Sequence, residues 1–489
     1  MAQTSTRPNA TNRGTTEMRA IATVQQIRDA EQAWFDAHPG EDLMAEASAH
    51  VASTALQMVG DHARVLVVVG TRNNGGDGLF AARDLANAGC DVAVWCTGSR
   101  WHEAGRAAAE AAGCVFADAR EAVEGLAEAS LVIDAVLGTG GRAGLREPVS
   151  EFARACADVG VPVLSVDLPS GLAADSVGAR DTISFRATRT VTFGALKLCQ
   201  LANPARQACG LVELAPIGLQ IPSPRMWATE LVDIAAHWPF PGVDSDKYSR
   251  GVVGLDTGSE RYPGAGVLST TGALFSGAGM IRFCGARRSA ELVGAAMPSV
   301  TFGPGRVEAW VLGCGWGARD DAASVIAERL ATGVPAVLDA DALRDLPDTV
   351  PGNCLLTPHA GELARLLGRD RAEVEADPVA AARTAAARYG ATVLLKGSTQ
   401  YVAEPSGRVT LAVEGPAWTA QAGSGDTLAG ICGTLLAAGL SARWAGVLGA
   451  SIQALTAAAK PGPYPPDALA HRMPGVLAKL AGRAAGARD

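Results

Sequence analysis

Short apolar runs recur along the chain, and each ends in glycines and polar residues before a helical stretch. Residues 65–69 (VLVVV) lead into Asn73-Asn74-Gly75-Gly76-Asp77-Gly78, and 79–88 then has helical composition. Residues 91–96, 131–137, 163–166 and 190–193 repeat the pattern. Unbroken β-branched runs mark strands buried on both faces, and β-α repetition sets such strands parallel in a three-layer sheet. Ligands of these sheets bind outside the strand C-termini, where helix N-termini aim N–H groups into a crevice. Asn74, Asp77, Asp134, Asp167, Ser170 and Lys197 all fall at those ends, which predicts one shared crevice. The turn 73–78 suits hydroxyls, amides, a cation or phosphate; alternatively it only reverses the chain. Asp134 is the lone charge of its strand, costly unless paired or metal-bound, or else capping a neighbouring turn.

Residues 1–17 read as a disordered tail, 18–60 as two helices and the proline-rich stretch 215–225 as a linker. This predicts domains over 18–222 and 223–489. In the second half, Tyr262-Pro263-Gly264-Ala265-Gly266 leads to a helix over 267–276, whose small residues would let it approach the sheet. Strands at 309–312, 336–338, 354–356 and 392–395 end in Gly313-Cys314-Gly315-Trp316-Gly317, Asp339-Ala340-Asp341, Thr357-Pro358-His359-Ala360-Gly361-Glu362 and Lys396-Gly397-Ser398-Thr399. The sharpest motif is Gly423-Ser424-Gly425-Asp426-Thr427, a glycine loop with an acid in the first turn of a helix. Loop amides there can neutralise a developing phosphate charge, and the carboxylate can take the proton of an attacking hydroxyl. A plain helix cap is the other reading of Asp426, and packing or capping that of His359.

Composition narrows the partners. A net charge of -8 without a Lys/Arg block argues against nucleic acid or an anionic membrane, and no apolar run is long enough to span one. The ten cysteines form no CxxC pair and the seven histidines no metal spacing, so a reduced, cytoplasmic protein without structural zinc is expected.

Through NNGGDG (73–78), DAVLGTG (134–140), VDLPSG (166–171) and TFGALK (192–197), the first half resembles the NAD(P)H-hydrate epimerase domain. Through YPGAG (262–266), TPHAGE (357–362), LLKGS (394–398) and AGSGDTLAG (422–430), the second resembles the ADP/ATP-dependent NAD(P)H-hydrate dehydratase domain. The resemblance implies a Rossmann-like domain followed by a ribokinase-like one, fused in a nicotinamide-nucleotide repair enzyme. It also implies that residues Asn73, Asn74, Gly75, Gly76, Asp77, Gly138, Thr139, Gly140, Gly141, Arg142, Ala143, Gly144 and Asp167 hold the hydrate, NADHX or NADPHX. Asn74, Asp134 and Ser170 would bind potassium, with Asp167 and Lys197 as acid and base. In the second domain Ala265, Gly315, Gly317 and His359 would contact the hydrate. Lys396, Gly397, Ser398, Thr399 and Gln400 would hold ADP or ATP with magnesium, Gly423, Ser424 and Gly425 its phosphates, and Asp426 would be the base. A homo-oligomer is expected.

Two departures stand out. Gly70-Thr71-Arg72 replaces the family's GPG before Asn73, and Cys314 and Trp316 interrupt a GPGLG turn. The rival reading is a ribokinase-like small-molecule kinase carrying a non-catalytic nucleotide- or protein-binding first domain.

Overall fold

The computed structural model describes residues 18–486, so the expected tail at 1–17 lies outside the described residues. By contact the chain divides into two compact units: Ala20–Met226 with Arg369–Ala380, and Trp227–Gly368 with the chain from Ala381 onward.

The first unit is built on β1 (Arg64–Val69), β2 (Asp91–Cys96), β3 (Val115–Ala117), β4 (Leu131–Ala135), β5 (Val163–Val166), β6 (Arg189–Phe193) and β7 (Leu211–Ala215). Their order is β3-β2-β1-β4-β5-β6-β7, and every pairing is parallel. The order reverses between β1 and β4, which opens a crevice at their C-terminal ends. Val65, Val67 and Val69 pack under the helices Leu43–Val59 and Asn73–Asn87, whereas Leu66 and Val68 face the helix Val149–Val159. Both faces are covered, which is why these strands read as unbroken apolar runs.

One expectation changes here. Residues 73–78 are the first turns of the helix Asn73–Asn87, not a separate reversal. Glycine is a poor helix former, but tight packing requires it at this place. A Cβ on Gly75 would lie 2.1 Å from the Gly70 carbonyl oxygen, and one on Gly78 2.5 Å from Ala135 Cβ. The helix therefore starts hard against the sheet and carries Asn74 and Asp77 on its first turns.

The second unit contains β8 (Val252–Asp256), β9 (Met280–Phe283), β10 (Thr301–Phe302), β11 (Ala309–Leu312), β12 (Ala336–Leu338), β13 (Leu355–Leu356), β14 (Thr392–Leu395), β15 (Tyr401–Ala403) and β16 (Val409–Leu411). They run β16-β15-β14-β13-β12-β11-β8-β9-β10. Pairing is parallel from β14 through β10 and antiparallel at β14-β15-β16. Val253, Leu255, Val311 and Val337 share a core with the helices Ser424–Ala437 and Ala442–Ala459. The small residues of the helix Pro263–Phe275 serve a helix contact rather than only an approach to the sheet. A Cβ on Gly272 would meet the Thr427 carbonyl oxygen at 2.1 Å, and one on Gly430 the Ser269 carbonyl oxygen at 2.0 Å. No helix of the described residues is long and apolar enough to cross a membrane.

Candidate functional sites

In the first unit the crevice centres on Asp167, which follows β5 with φ at +68°. That left-handed backbone is rare for a residue with a side chain, and such strain gathers at sites. Its Oδ1 accepts from Lys197 Nζ at 2.6 Å and Thr192 Oγ1 at 3.2 Å. Its Oδ2 accepts from Thr139 N at 2.6 Å and from the Thr139 hydroxyl. Gln200 Nε2 donates to the Asp167 carbonyl at 2.7 Å. Burial pushes the Asp167 carboxyl up, but the Lys197 ammonium and the hydrogen bonds from Lys197 and Thr139 outweigh it and hold the group below its ordinary value.

Lys197 is only 1 % exposed, and its Nζ also donates to Thr192 Oγ1 at 2.7 Å and the Phe193 carbonyl at 2.9 Å. An ammonium has three protons to give, and all three are engaged. In this geometry Lys197 orients and charges Asp167 from behind. Asp77 behaves in the opposite way to Asp167. Burial first, then the charges of Asp167, Asp42 and Glu31, push its carboxyl well up. One carboxyl held low and a neighbour held high are the makings of a base and an acid.

Asp134 is fully buried, and its carboxylate accepts from Ser165 Oγ at 2.9 Å, Ser170 N at 2.8 Å and Ser170 Oγ at 2.5 Å. Among the described residues no cationic side chain pairs with it, and burial pushes its carboxyl up to about 6. Asn74 Nδ2 is buried without a partner, and turning the amide over would present its oxygen instead. The loop 138–144 follows β4. A Cβ on Gly138 would lie 2.8 Å from Asn74 Oδ1 and 3.1 Å from Asp167 Oδ2, so the loop closes over both. Gly140, Arg142 and Ala143 are exposed on its outer part.

Sequence reasoning missed Thr192, Gln200 and Glu31. Glu31 lies on the helix Val24–Ala37, where burial and then the Asp167 charge push its carboxyl up. Nothing in an amphipathic helix marks it in advance.

In the second unit the helix Ser424–Ala437 starts from Gly423, which has φ +90° and gives no side-chain cap. Ser424 N donates to the Gln421 carbonyl at 3.2 Å, which leaves the Gly425 and Asp426 amides as a ready anion site. Asp426 sits on that first turn. Burial and the neighbouring Asp339 charge push its carboxyl up to about 7, with Lys396 pulling the other way. Lys396 turns inward, its Nζ 2.5 Å from Asp339 Oδ1, which also accepts from Thr357 Oγ1 at 2.8 Å. Burial lowers the Lys396 ammonium, but Asp339 and Glu362 outweigh it and raise it on balance. Asp339 was visible in sequence only as a strand-end acid, and its pairing with Lys396 was not. Gly397 and Ser398 are exposed beyond it, while Thr399 is buried.

His359 caps the helix Ala360–Leu367, its Nδ1 accepting from Gly361 N at 3.0 Å and Glu362 N at 3.3 Å, while its ring remains half exposed. Gly317 N donates to Asp341 Oδ2 at 2.7 Å. The two residues that interrupt the GPGLG turn point inward. Cys314 Sγ is 3.5 Å from Asp339 Oδ2, and the buried Trp316 donates its Nε1 to the Asp256 carbonyl at 2.9 Å. Cys314, Asp339 and Asp426 offer ligand atoms within 4.8 Å of one another. Magnesium takes oxygen ligands, so the two carboxylates fit it and the sulfur does not.

Gly315 has φ +65°, and a Cβ there would lie 2.4 Å from Ala265 Cβ. Gly315→Ala should cost the left-handed strain plus about 1–3 kcal/mol of overpacking. Gly333 has φ +72° and open space around it, so Gly333→Ala should cost only the strain, about 1–2 kcal/mol. Denaturant unfolding of the two variants checks the difference.

Two α/β units, one with two carboxyls shifted in opposite directions at a switch point and one with an acid on a glycine-led helix, define a class of two-site enzymes. Residues 40–199 match the family model for the YjeF-related protein N-terminus, and 253–474 that for NAD(P)H-hydrate dehydratase. The chain is 38% identical to the bifunctional NAD(P)H-hydrate repair enzyme Nnr of Mycobacterium leprae, over 93% of this chain and 98% of that one. It is 39% identical to the Nnr of Mycobacterium tuberculosis (strain CDC 1551 / Oshkosh), over 86% and 90%. A solved ADP/ATP-dependent NAD(P)H-hydrate dehydratase from Bacillus subtilis overlaps 51% of this chain and 97% of its own, with 24% identity and a TM-score of 0.49. The chain belongs to the family of bifunctional NAD(P)H-hydrate repair enzymes.

Proposed function

We propose that residues 18–222 interconvert the R and S epimers of NADH and NADPH hydrate, and that 223–489 dehydrate the S epimer using ADP or ATP. The observation that carries this is Asp426, pushed up to about 7 on the uncapped first turn of its helix. A base poised near neutrality beside free amides suits phosphoryl transfer. Asp426 takes the proton of the C6 hydroxyl as that oxygen attacks the terminal phosphorus. The bond from phosphorus to the nucleotide's bridging oxygen breaks, leaving AMP from ADP or ADP from ATP. Phosphate then departs from C6 with the bonding electron pair, C5 loses a proton, and the C5–C6 double bond of the reduced nicotinamide returns. The N–H groups of Gly425 and Asp426 face the transferring phosphate, and Lys396 to Gln400 with Ala265, Gly315, Gly317 and His359 hold nucleotide and hydrate. Magnesium, when bound, would neutralise phosphate charge beside Asp339 and Asp426.

In the first unit Asp167, held low by Lys197, and Asp77, held high by burial, serve the hydrated carbon as base and acid. Asn74, Asp134 and Ser170 fit potassium, because a buried carboxylate without a counter-charge and an orphaned amide are both hard-donor groups. Potassium would supply the missing positive charge. Adding K+ in place of a bulky organic cation should raise the melting temperature of the chain by a few degrees, and Asp134→Asn should abolish the shift.

The testing experiment incubates mixed R and S NADH hydrate with purified protein, ADP, Mg²⁺ and K⁺ while following the absorbance of reduced nicotinamide. Nucleotide-dependent recovery from both epimers is expected. Recovery from the S epimer alone would remove the epimerase, and a stable phosphate ester as product would make the second unit a kinase.

A further inference from the structure

Two arginines outside the assigned site residues meet at the rim of the first crevice. Arg28 comes from the helix Val24–Ala37, and Arg72 directly precedes the helix Asn73–Asn87. A Cβ on Gly140 would lie 3.3 Å from Arg28 Nη2 and 3.9 Å from Arg72 Nη1, so the two guanidinium groups flank one glycine of the loop 138–144. Both are exposed, and among the described residues neither has a carboxylate within ion-pair distance. Arg28 is attracted by the Glu31 carboxylate but forms no ion pair with it; the two guanidinium groups held at one glycine repel each other, and an anion between them would relieve it. The floor of the crevice is of opposite character, with Asp77, Asp167 and Glu31.

We infer that Arg28 and Arg72 bind the substrate's diphosphate at its nicotinamide-ribose end, and so orient the uncharged hydrated ring toward Asp167. This rests on the epimerase reading of the first unit. Gly138 abuts Asp167 Oδ2 and Gly140 abuts the arginines; two residues of chain span at most about 7 Å. That is the reach of one ribose, from ring to 5′-phosphate. The adenosine 2′-phosphate lies beyond the diphosphate and a second ribose, too far from the ring to share this rim. Arg72 stands where the family motif has glycine, so this contact is an addition of this chain.

The test follows R-to-S conversion without nucleotide in the full-length chain, by separating the epimers, for NADH hydrate and NADPH hydrate in turn. The Arg28→Ala/Arg72→Ala variant should raise KM about tenfold for both substrates while kcat stays within about twofold, because the lost contact is made equally in ground and transition states. Arg28→Lys/Arg72→Lys should fall between, and dehydration of the S epimer should be unchanged. An unchanged KM in the alanine variant would overturn the inference. So would a KM rise confined to NADPH hydrate, which would move the contact to the 2′-phosphate. Absence of epimerisation in the unmutated chain would instead sink the epimerase reading itself.

Discussion

Asp426→Asn is expected to lower kcat for nucleotide-driven dehydration about a thousandfold, with epimerisation untouched, because a positioned general base contributes about 10²–10⁴. Asparagine keeps the size and polarity of the side chain but cannot take a proton. The KM for nucleotide should change little, since the helix amides and Lys396 remain. The unmutated chain carries a second signature. Burial and Asp339 push the Asp426 carboxyl up to about 7, and only its ionised form accepts a proton. The dehydration rate should therefore climb as pH rises through about 7 and level off above it, and this limb should vanish from the residual rate of Asp426→Asn. A pH profile unchanged by the substitution would assign the base elsewhere.

Asp167→Asn is expected to act on both activity and stability. Epimerisation should fall by about a hundredfold or more through loss of the base. The variant also strands the Lys197 ammonium at 1 % exposure, and breaking a buried pair costs about 3–5 kcal/mol. Replacing both partners, as in Asp167→Asn/Lys197→Met, should recover most of that stability while leaving epimerisation absent. Denaturant midpoints and R-to-S conversion, read on the same three proteins, separate the two effects. The pH dependence follows with a definite sign. The Asp167 carboxyl is held below its ordinary value in the folded chain. Its contribution to stability is thus present above the usual carboxylate range and is lost as pH falls through the folded value. Asp167→Asn should be less acid-labile than the parent. Should Asp167→Asn match the parent in stability, Lys197 is not held as the structure places it.

The strands were legible because burial on both faces leaves a local trace, an unbroken apolar run that stops where polar residues begin. That trace located β1, β5, β11, β12 and β14 and put Asn74, Asp134, Asp167, Lys197 and Asp426 at strand or helix ends. The short antiparallel strands β15 and β16 escaped because three-residue runs carry too little pattern. So did the helical form of 73–78, since glycine and asparagine there disfavour a helix locally and only contact with Gly70 and Ala135 compels it. What a charge pairs with is not a local property. Lys396 meets Asp339 from 57 residues away and Lys197 meets Asp167 from 30; before folding, each lysine could equally have faced solvent. The amino-acid order alone therefore determined the α/β layering and which ends carry the chemistry. Only the tertiary structure decided that Lys197 stands behind Asp167, that Trp316 turns inward, and that Glu31, Arg28 and Arg72 complete the first crevice. Backbone patterning is a near-neighbour effect, whereas burial and the fields that set a carboxyl's protonation depend on every element packed around it.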